Sequence, residues 1–328
     1  MLADHGPETM GRQPKGRPGD DERSDLHAVI VACGAYPAPI PALSADYRDG
    51  PRAAAPAWQH LAMTDVQQPT LPPRGELRRR ILAGEATIGA FIQLASPVAA
   101  EIAAQAGFDW LIVDLEHGHG GEAELLGQLH AIQATRAAAL VRVQSSERLR
   151  IARALDLGAD GLMVPRVETE EYVRDALSWM RFPPQGIRGV ALTARGDGYA
   201  TVDHPAVAGI NERVLGVFQV ESPVAVDNAE ALAAVEGVDC LFVGPADLSH
   251  AMGIPGRIDH PDFLAALDRV VGACRRHGKA AGILLRGPDA VPGALEQGFR
   301  FIGVGSDVGW LIGGARAAAS RGREPVRD

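Results

Sequence analysis

Lysine is almost missing from this chain: its 328 residues hold only Lys15 and Lys279, and neither stands at the end of an apolar run. A lysine-dependent, Schiff-base aldolase is therefore not expected. Cysteine is also sparse. Cys33, Cys240 and Cys274 are odd in number and far apart, which makes neither a disulfide framework nor a zinc pattern and suits a reducing, cytoplasmic setting. Aromatic residues make up only 5%, too few for the stacking platforms that hold single-stranded nucleic acid. Positive charge falls short of negative, 32 Lys+Arg against 41 Asp+Glu for a net charge of −9, so a basic face that tracks phosphates is not expected either. No uninterrupted apolar run approaches the roughly 18–20 residues of a membrane span. The start of the chain has no basic segment followed by an apolar one, so no signal peptide is expected. No G-x-G-x-x-G follows the first apolar strand, which disfavours a doubly wound dinucleotide-binding sheet.

What is present divides by composition. Of 23 prolines, 11 fall in residues 1–73, mixed with Gly, Ala and Arg and without a sustained period of 3.6 or 2. That stretch reads as a disordered extension, with Met63 as an alternative start of translation. From residue 74 to 328 the text becomes a strand-then-helix alternation. Apolar strands are expected at 87–94, 110–114, 139–143, 161–164, 214–220, 240–243, 281–285 and 301–304. Amphipathic helices are expected at 76–82, 97–106, 147–157, 170–179 and 261–277. Near-continuous apolar strands imply a parallel sheet buried on both faces. Eight such units over about 250 residues predict a (β/α)8 TIM-type barrel.

In such a barrel the chemistry lies at the C-terminal ends of the strands. The second strand ends in Asp114-Leu115-Glu116-His117, the third in Arg142-Val143, the fifth in Gln219-Val220-Glu221, and the sixth runs into Asp247. Glu221 and Asp247, with substrate oxygens and water, have the oxygen donors that a divalent cation such as Mg2+ or Mn2+ requires. The plainer alternative makes Asp247 a helix cap near Leu248 and Glu221 the partner of an arginine. His117 can move protons at neutral pH, or can simply be a surface histidine. Arg142 inside a strand needs an anionic partner: a substrate carboxylate or enolate oxygen, or an ion pair with Glu221 or Asp114. Asp114 stands behind this set as a supporting carboxylate. Gln219 shares the face of Glu221 and donates a hydrogen bond without adding charge. The ends of strands four, seven and eight, at Arg166, Arg286 and Ser306-Asp307, suggest no chemistry by themselves.

The chain resembles the HpcH/HpaI family of class II pyruvate-dependent aldolases and citrate-lyase-type enzymes. The resemblance is carried by Ala100-Glu101-Ile102-Ala103, Gly107-Phe108-Asp109-Trp110, Asp114-Leu115-Glu116-His117, Leu157-Gly158-Ala159, Arg181-Phe182-Pro183-Pro184, Gly186-Ile187-Arg188-Gly189-Val190, Gln219-Val220-Glu221, Gly244-Pro245-Ala246-Asp247-Leu248-Ser249 and Gly305-Ser306-Asp307, in that order. It implies a barrel whose C-terminal helix is swapped between subunits of a trimer or hexamer. It also implies a divalent ion, Mg2+, Mn2+ or Co2+, held by Glu221 and Asp247. Gln219 and the backbone of Ala246 and Asp247 would cradle pyruvate, and Arg142 would stabilise the enolate. His117 would be the acid/base, with Asp156 orienting a histidine across a subunit boundary. Leu115 replaces a glycine common in relatives and Val220 an isoleucine, departures that bear on substrate choice. The reaction implied is cleavage of a 4-hydroxy-2-oxo acid, a hydroxy-oxo diacid or 2-dehydro-3-deoxy sugar acid, to pyruvate and an aldehyde. A CoA-ester lyase, or an idle barrel used as a binding module, are the alternatives.

Overall fold

The structure, a computed structural model, describes residues 71–322. The expected extension up to residue 70, the start at Met63 and Cys33 lie outside the described residues. The elements run α1 (Glu76–Leu82), β1 (Thr87–Ile92), α2 (Pro97–Gln105), β2 (Trp110–Asp114), α3 (Glu122–Gln133), β3 (Ala138–Arg142), α4 (Arg148–Asp156), β4 (Gly161–Val164) and α5 (Glu170–Met180) in the first half. The second half holds β5 (Leu215–Val220), α6 (Pro223–Asp227), α7 (Ala229–Ala234), β6 (Cys240–Val243), α8 (Pro245–Ala251), α9 (Pro261–Arg276), β7 (Ala280–Leu285), α10 (Val291–Gln297), β8 (Phe301–Ser306) and α11 (Asp307–Arg321). All eight strands are parallel and close in sequence order, β8 pairing with β1. The expected barrel is thus the observed one, with strand ends within two residues of expectation.

Both faces of each strand are apolar, but they face different partners. Leu111, Val113, Val141, Leu162, Val164, Phe218, Val220, Leu241 and Val243 belong to the outer core under the helices. Phe91, Trp110, Ile112, Leu140, Met163, Val217, Phe242 and Phe301 fill the barrel itself. Trp110 stacks on Phe301 with centroids 4.1 Å apart, and Phe242 meets Phe301 edge-on at 6.0 Å. Gly89 makes room for this layer, since a Cβ there would lie 2.0 Å from the Trp110 ring. With bulk below, the next inward positions two residues on are free to be polar.

The N-terminal end of the barrel is closed by α1, whose Leu77 and Ile81 join the interior cluster. Arg78 and Arg80 pin the helix to Asp239 and Asp109. Those aspartates belong to a repeated device. Gly107-Phe108-Asp109, Gly158-Ala159-Asp160 and Gly237-Val238-Asp239 precede β2, β4 and β6, each with the glycine at φ of 92–99°. Their carboxylates accept the backbone N–H groups of Ile88, Ala139 and Gly216 on the preceding strand. Only a residue without Cβ adopts that backbone turn at little cost. The aspartate then satisfies an N–H at the strand entrance that otherwise lacks an acceptor.

Candidate active site

The inward positions above the aromatic layer carry the polar residues anticipated from sequence. Asp114 on β2 and Arg142 on β3 are register partners, so their side chains meet in the mouth. Arg142 donates from Nε to Asp114 Oδ1 at 2.8 Å and from Nη2 to Oδ2 at 2.6 Å, a two-point fork in a site where Asp114 is fully buried. Asp114 Oδ1 also accepts the backbone N–H groups of Glu116 and His117, and Oδ2 accepts from the Gln93 amide at 3.0 Å. Burial pushes the Asp114 carboxyl upward, but the hydrogen bond and charge of Arg142 outweigh it and hold the group below its ordinary value. Of the partners considered for Arg142, the Asp114 pair is the one that forms. The guanidinium also stands 5.0 Å over the Phe91 ring and 3.2 Å from Glu116 Oε2.

Glu116 is a participant that the sequence reading passed over. Its Oε2 is buried, close enough to Arg142 for ion pairing yet without a hydrogen-bond partner. Burial pushes the Glu116 carboxyl above its ordinary value, while the Arg142 charge opposes that shift. His117 lies beside it, Nε2 3.9 Å from Glu116 Oε2, with 59% of its side chain exposed to the mouth. Gln93 was likewise missed. Its only signal was position, two residues beyond inward-facing Phe91 on the first expected strand.

Across the mouth, Gln219 Nε2 donates to Glu221 Oε1 at 2.8 Å and the backbone N–H of Arg166 donates to Oε2 at 3.1 Å. No arginine pairs with Glu221 among the described residues, so the plainer reading of this glutamate is not the one formed. Burial first, then repulsion from Asp247 and Glu116, push the Glu221 carboxyl up to about 7. Asp247 stands exposed in the first turn of α8, which begins at Pro245 rather than near Leu248. Its carboxylate caps nothing, and the first bond inside that helix runs from Leu248 N–H to Gly244 O, after Ala246 and Asp247. Those two residues therefore offer early helical N–H groups beside Glu221.

A hard divalent cation suits this donor set. Glu221 and Asp247 offer only oxygen donors, the charge of Asp247 repels that of Glu221, and the buried Oε1 of Gln219 lacks a partner among the described residues. Among the described residues no three His, Cys, Asp or Glu side chains gather as a closed cage. Asp156 is not brought to this mouth: it ends α4, at the N-terminal end of the barrel, and binds Arg188 Nη2 at 2.6 Å. A contact between Asp156 and His117 therefore needs a second chain.

Ser306 and Asp307, unassigned from sequence, have structural roles. Ser306 caps α11 through Gly309 N–H, and Asp307 accepts the backbone N–H groups of Gln93 and Leu94 at 2.8 and 3.1 Å. They join the end of β8 to the end of β1.

The sequence profile described as HpcH/HpaI aldolase/citrate lyase matches residues 87–313. A 5-keto-4-deoxy-D-glucarate aldolase of Klebsiella pneumoniae is 40% identical over 235 residues, covering 71% of this chain and 91% of that protein. The enzyme of the same name from Salmonella arizonae is 39% identical over 240 residues, 73% of this chain and 93% of its own. Among solved structures, an HpcH/HpaI aldolase/citrate lyase family protein from Burkholderia cenocepacia superposes with a TM-score of 0.72 at 38% identity, covering 76% of this chain and all of that one. An HpcH/HpaI aldolase from Desulfitobacterium hafniense also reaches 0.72, at 29% identity over 77% of this chain and 98% of its own.

Proposed function

The chain belongs to the HpcH/HpaI aldolase/citrate lyase family, and from that premise we propose that the barrel mouth is the active site of a divalent-metal-dependent aldolase. It cleaves a 4-hydroxy-2-oxo acid of the 2-dehydro-3-deoxy sugar acid class to pyruvate and an aldehyde. The observation that carries this reading is the pairing of two opposed devices in one mouth. Glu221 and Asp247 form an open carboxylate edge, and opposite them Asp114 holds the Arg142 guanidinium by a buried fork.

Glu221 and Asp247 would hold the ion, with Gln219 and the N–H groups of Ala246 and Asp247 orienting the substrate's 2-oxo acid end. When bound, the ion supplies Lewis-acid polarisation of the oxo group. Arg142 sets fixed positive charge where negative charge grows as the C3–C4 bond breaks. His117 takes the proton of the 4-hydroxyl group, the electron pair of the broken bond returns to the pyruvate half, and C3 is protonated to a methyl group. Asp156 of a neighbouring chain would orient His117. The exposed apolar surface of α11 supports association with further copies, which this reading takes as a trimer or hexamer: only Asp307 of that helix is buried, while Trp310, Leu311 and Ile312 are 41%, 62% and 46% exposed. Among the described residues no helix is long and apolar enough to cross a membrane, and in this reading the enzyme works in the cytoplasm. Identities near 40% to sugar-diacid aldolases support free oxo acids over CoA esters as substrates.

Pyruvate release from a panel of 4-hydroxy-2-oxo acids and CoA esters, before and after exhaustive chelation, tests the reading. The sugar acid should be cleaved, chelation should stop turnover, and Mg2+, Mn2+ or Co2+ should restore it. Glu221→Gln and Asp247→Asn should each lower turnover on the order of a hundredfold or more. Both should also retain less metal by elemental analysis at unchanged circular dichroism. Full turnover by protein verified as metal-free would overturn the proposal.

A further inference from the structure

The mouth has an electrostatic imbalance that its own residues do not resolve. Asp114, Glu116, Glu221 and Asp247 face one guanidinium, Arg142, which is already engaged by Asp114 and Glu116. Even a divalent ion leaves the balance negative. A substrate with a second carboxylate on its aldehyde half would be repelled unless another cation met that group.

Arg166 is placed to do so. It follows Pro165 at the end of β4, next to the strand that carries Gln219 and Glu221. Its backbone is fixed from two sides: its own N–H donates to Glu221 Oε2 at 3.1 Å, and the N–H of Val167 donates to the Gln219 carbonyl at 3.1 Å. It adopts φ of 54°, a left-handed conformation that a residue with a side chain takes only when its surroundings impose it. That turn breaks the strand's alternation, and the Arg166 side chain is exposed. The guanidinium has no hydrogen-bond or ion-pair partner among the described residues. Glu168, the nearest carboxylate along the chain, is engaged by the Ser222 hydroxyl instead. Arg286, at the end of β7, already reaches the Gly256 carbonyl at 3.4 Å.

We propose that Arg166 binds the distal carboxylate of the substrate's aldehyde half, making this chain selective for oxo acids that carry an acid group at both ends. This rests on the aldolase reading above and specifies its substrate as a diacid. Arg166 is tied to the carboxylate edge by its own backbone N–H on Glu221, and its exposed side chain belongs to the same rim of the barrel. Guanidinium suits the task because its planar fork matches a carboxylate at two points.

The test is the ratio of kcat/KM for a substrate ending in a carboxylate, 5-keto-4-deoxy-D-glucarate, to kcat/KM for the oxo acid of the same configuration that ends in an alcohol instead. Arg166→Gln should lower that ratio by roughly 10- to 100-fold, chiefly through KM for the diacid, as loss of a charge-assisted contact does. Arg166→Lys should recover part of it. A merely structural role at the strained turn would lower both substrates together and leave the ratio unmoved, which overturns the proposal. So does a wild-type ratio near one, or a fall in the ratio produced by Arg286→Gln and not by Arg166→Gln. Failure of the underlying aldolase reading looks different: the wild type would then release pyruvate from neither substrate.

Discussion

Arg142 is held by more contacts than any other cation of the mouth, and the direction of those contacts decides what it can do. Its Nε and Nη2 face Asp114, its Nη1 faces Glu116, and the Phe91 ring lies beneath it. A guanidinium fixed in this way cannot follow a wandering charge, so it is set in advance for a charge that appears in one place. Arg142→Lys keeps the formal charge but loses the fork, and leaves buried Asp114 short of a donor. The rate of pyruvate methyl-proton exchange in deuterated solvent should fall by about 10²–10³-fold. Pyruvate affinity should change far less, because Glu221, Asp247 and Gln219 remain. Equal exchange by both proteins would leave Arg142 as a structural ion-pair partner of Asp114 and nothing more.

At the scale of elements, the barrel mouth depends on how its first and last strands are joined. Asp307, the first residue of α11, accepts two backbone N–H groups from the segment that follows β1. One belongs to Gln93, whose side chain in turn binds Asp114. A single carboxylate thus connects barrel closure to the group that orients Arg142. Asp307→Ala orphans two partly buried donors and should cost about 2–4 kcal/mol, read as a lowered denaturant midpoint at unchanged slope. A cost below about 0.5 kcal/mol, the range of ordinary surface changes, would show that the clamp is dispensable. At the opposite end α1 has the matching role, with Leu77 and Ile81 as its apolar plug and Arg78 and Arg80 as its anchors.

The whole molecule places stability and chemistry at opposite ends. Gly-x-Asp turns before β2, β4 and β6 clamp the strand entrances, and α1 covers them. The strand exits carry the carboxylates and Arg142. The proline-rich composition of residues 1–73 has little apolar area to offset the entropy of ordering. A chain beginning at Met63 should therefore match the full chain in thermal midpoint and kcat/KM, within about 2 °C and twofold. Insolubility or a large loss of turnover would place the extension within the working enzyme.

How much of this was readable from sequence follows from the range of the forces involved. Strand and helix spacing, the barrel, and the clustering of Asp114, Glu116, His117, Arg142, Gln219, Glu221 and Asp247 on strand ends are local patterns. Periods of 2 and 3.6 and the order of elements suffice to read them. The pairing choices are not local. Whether Arg142 met Asp114 or Glu221 depended on the register of β2 against β3, which exists only once the two strands pair. Gln93, Asp307 and the backbone of Arg166 entered the site only when the closing strands and the β4–β5 edge brought them there. The upward shift of Glu221 likewise needs burial and neighbours from two other strand ends. Sequence determined that polar residues such as Asp114, Arg142, Gln219 and Glu221 would collect at the strand ends, because side-chain alternation is a property of a single strand. Tertiary structure alone decided which of them touch, because hydrogen bonds and charge repulsion act over distances that only the closed barrel sets.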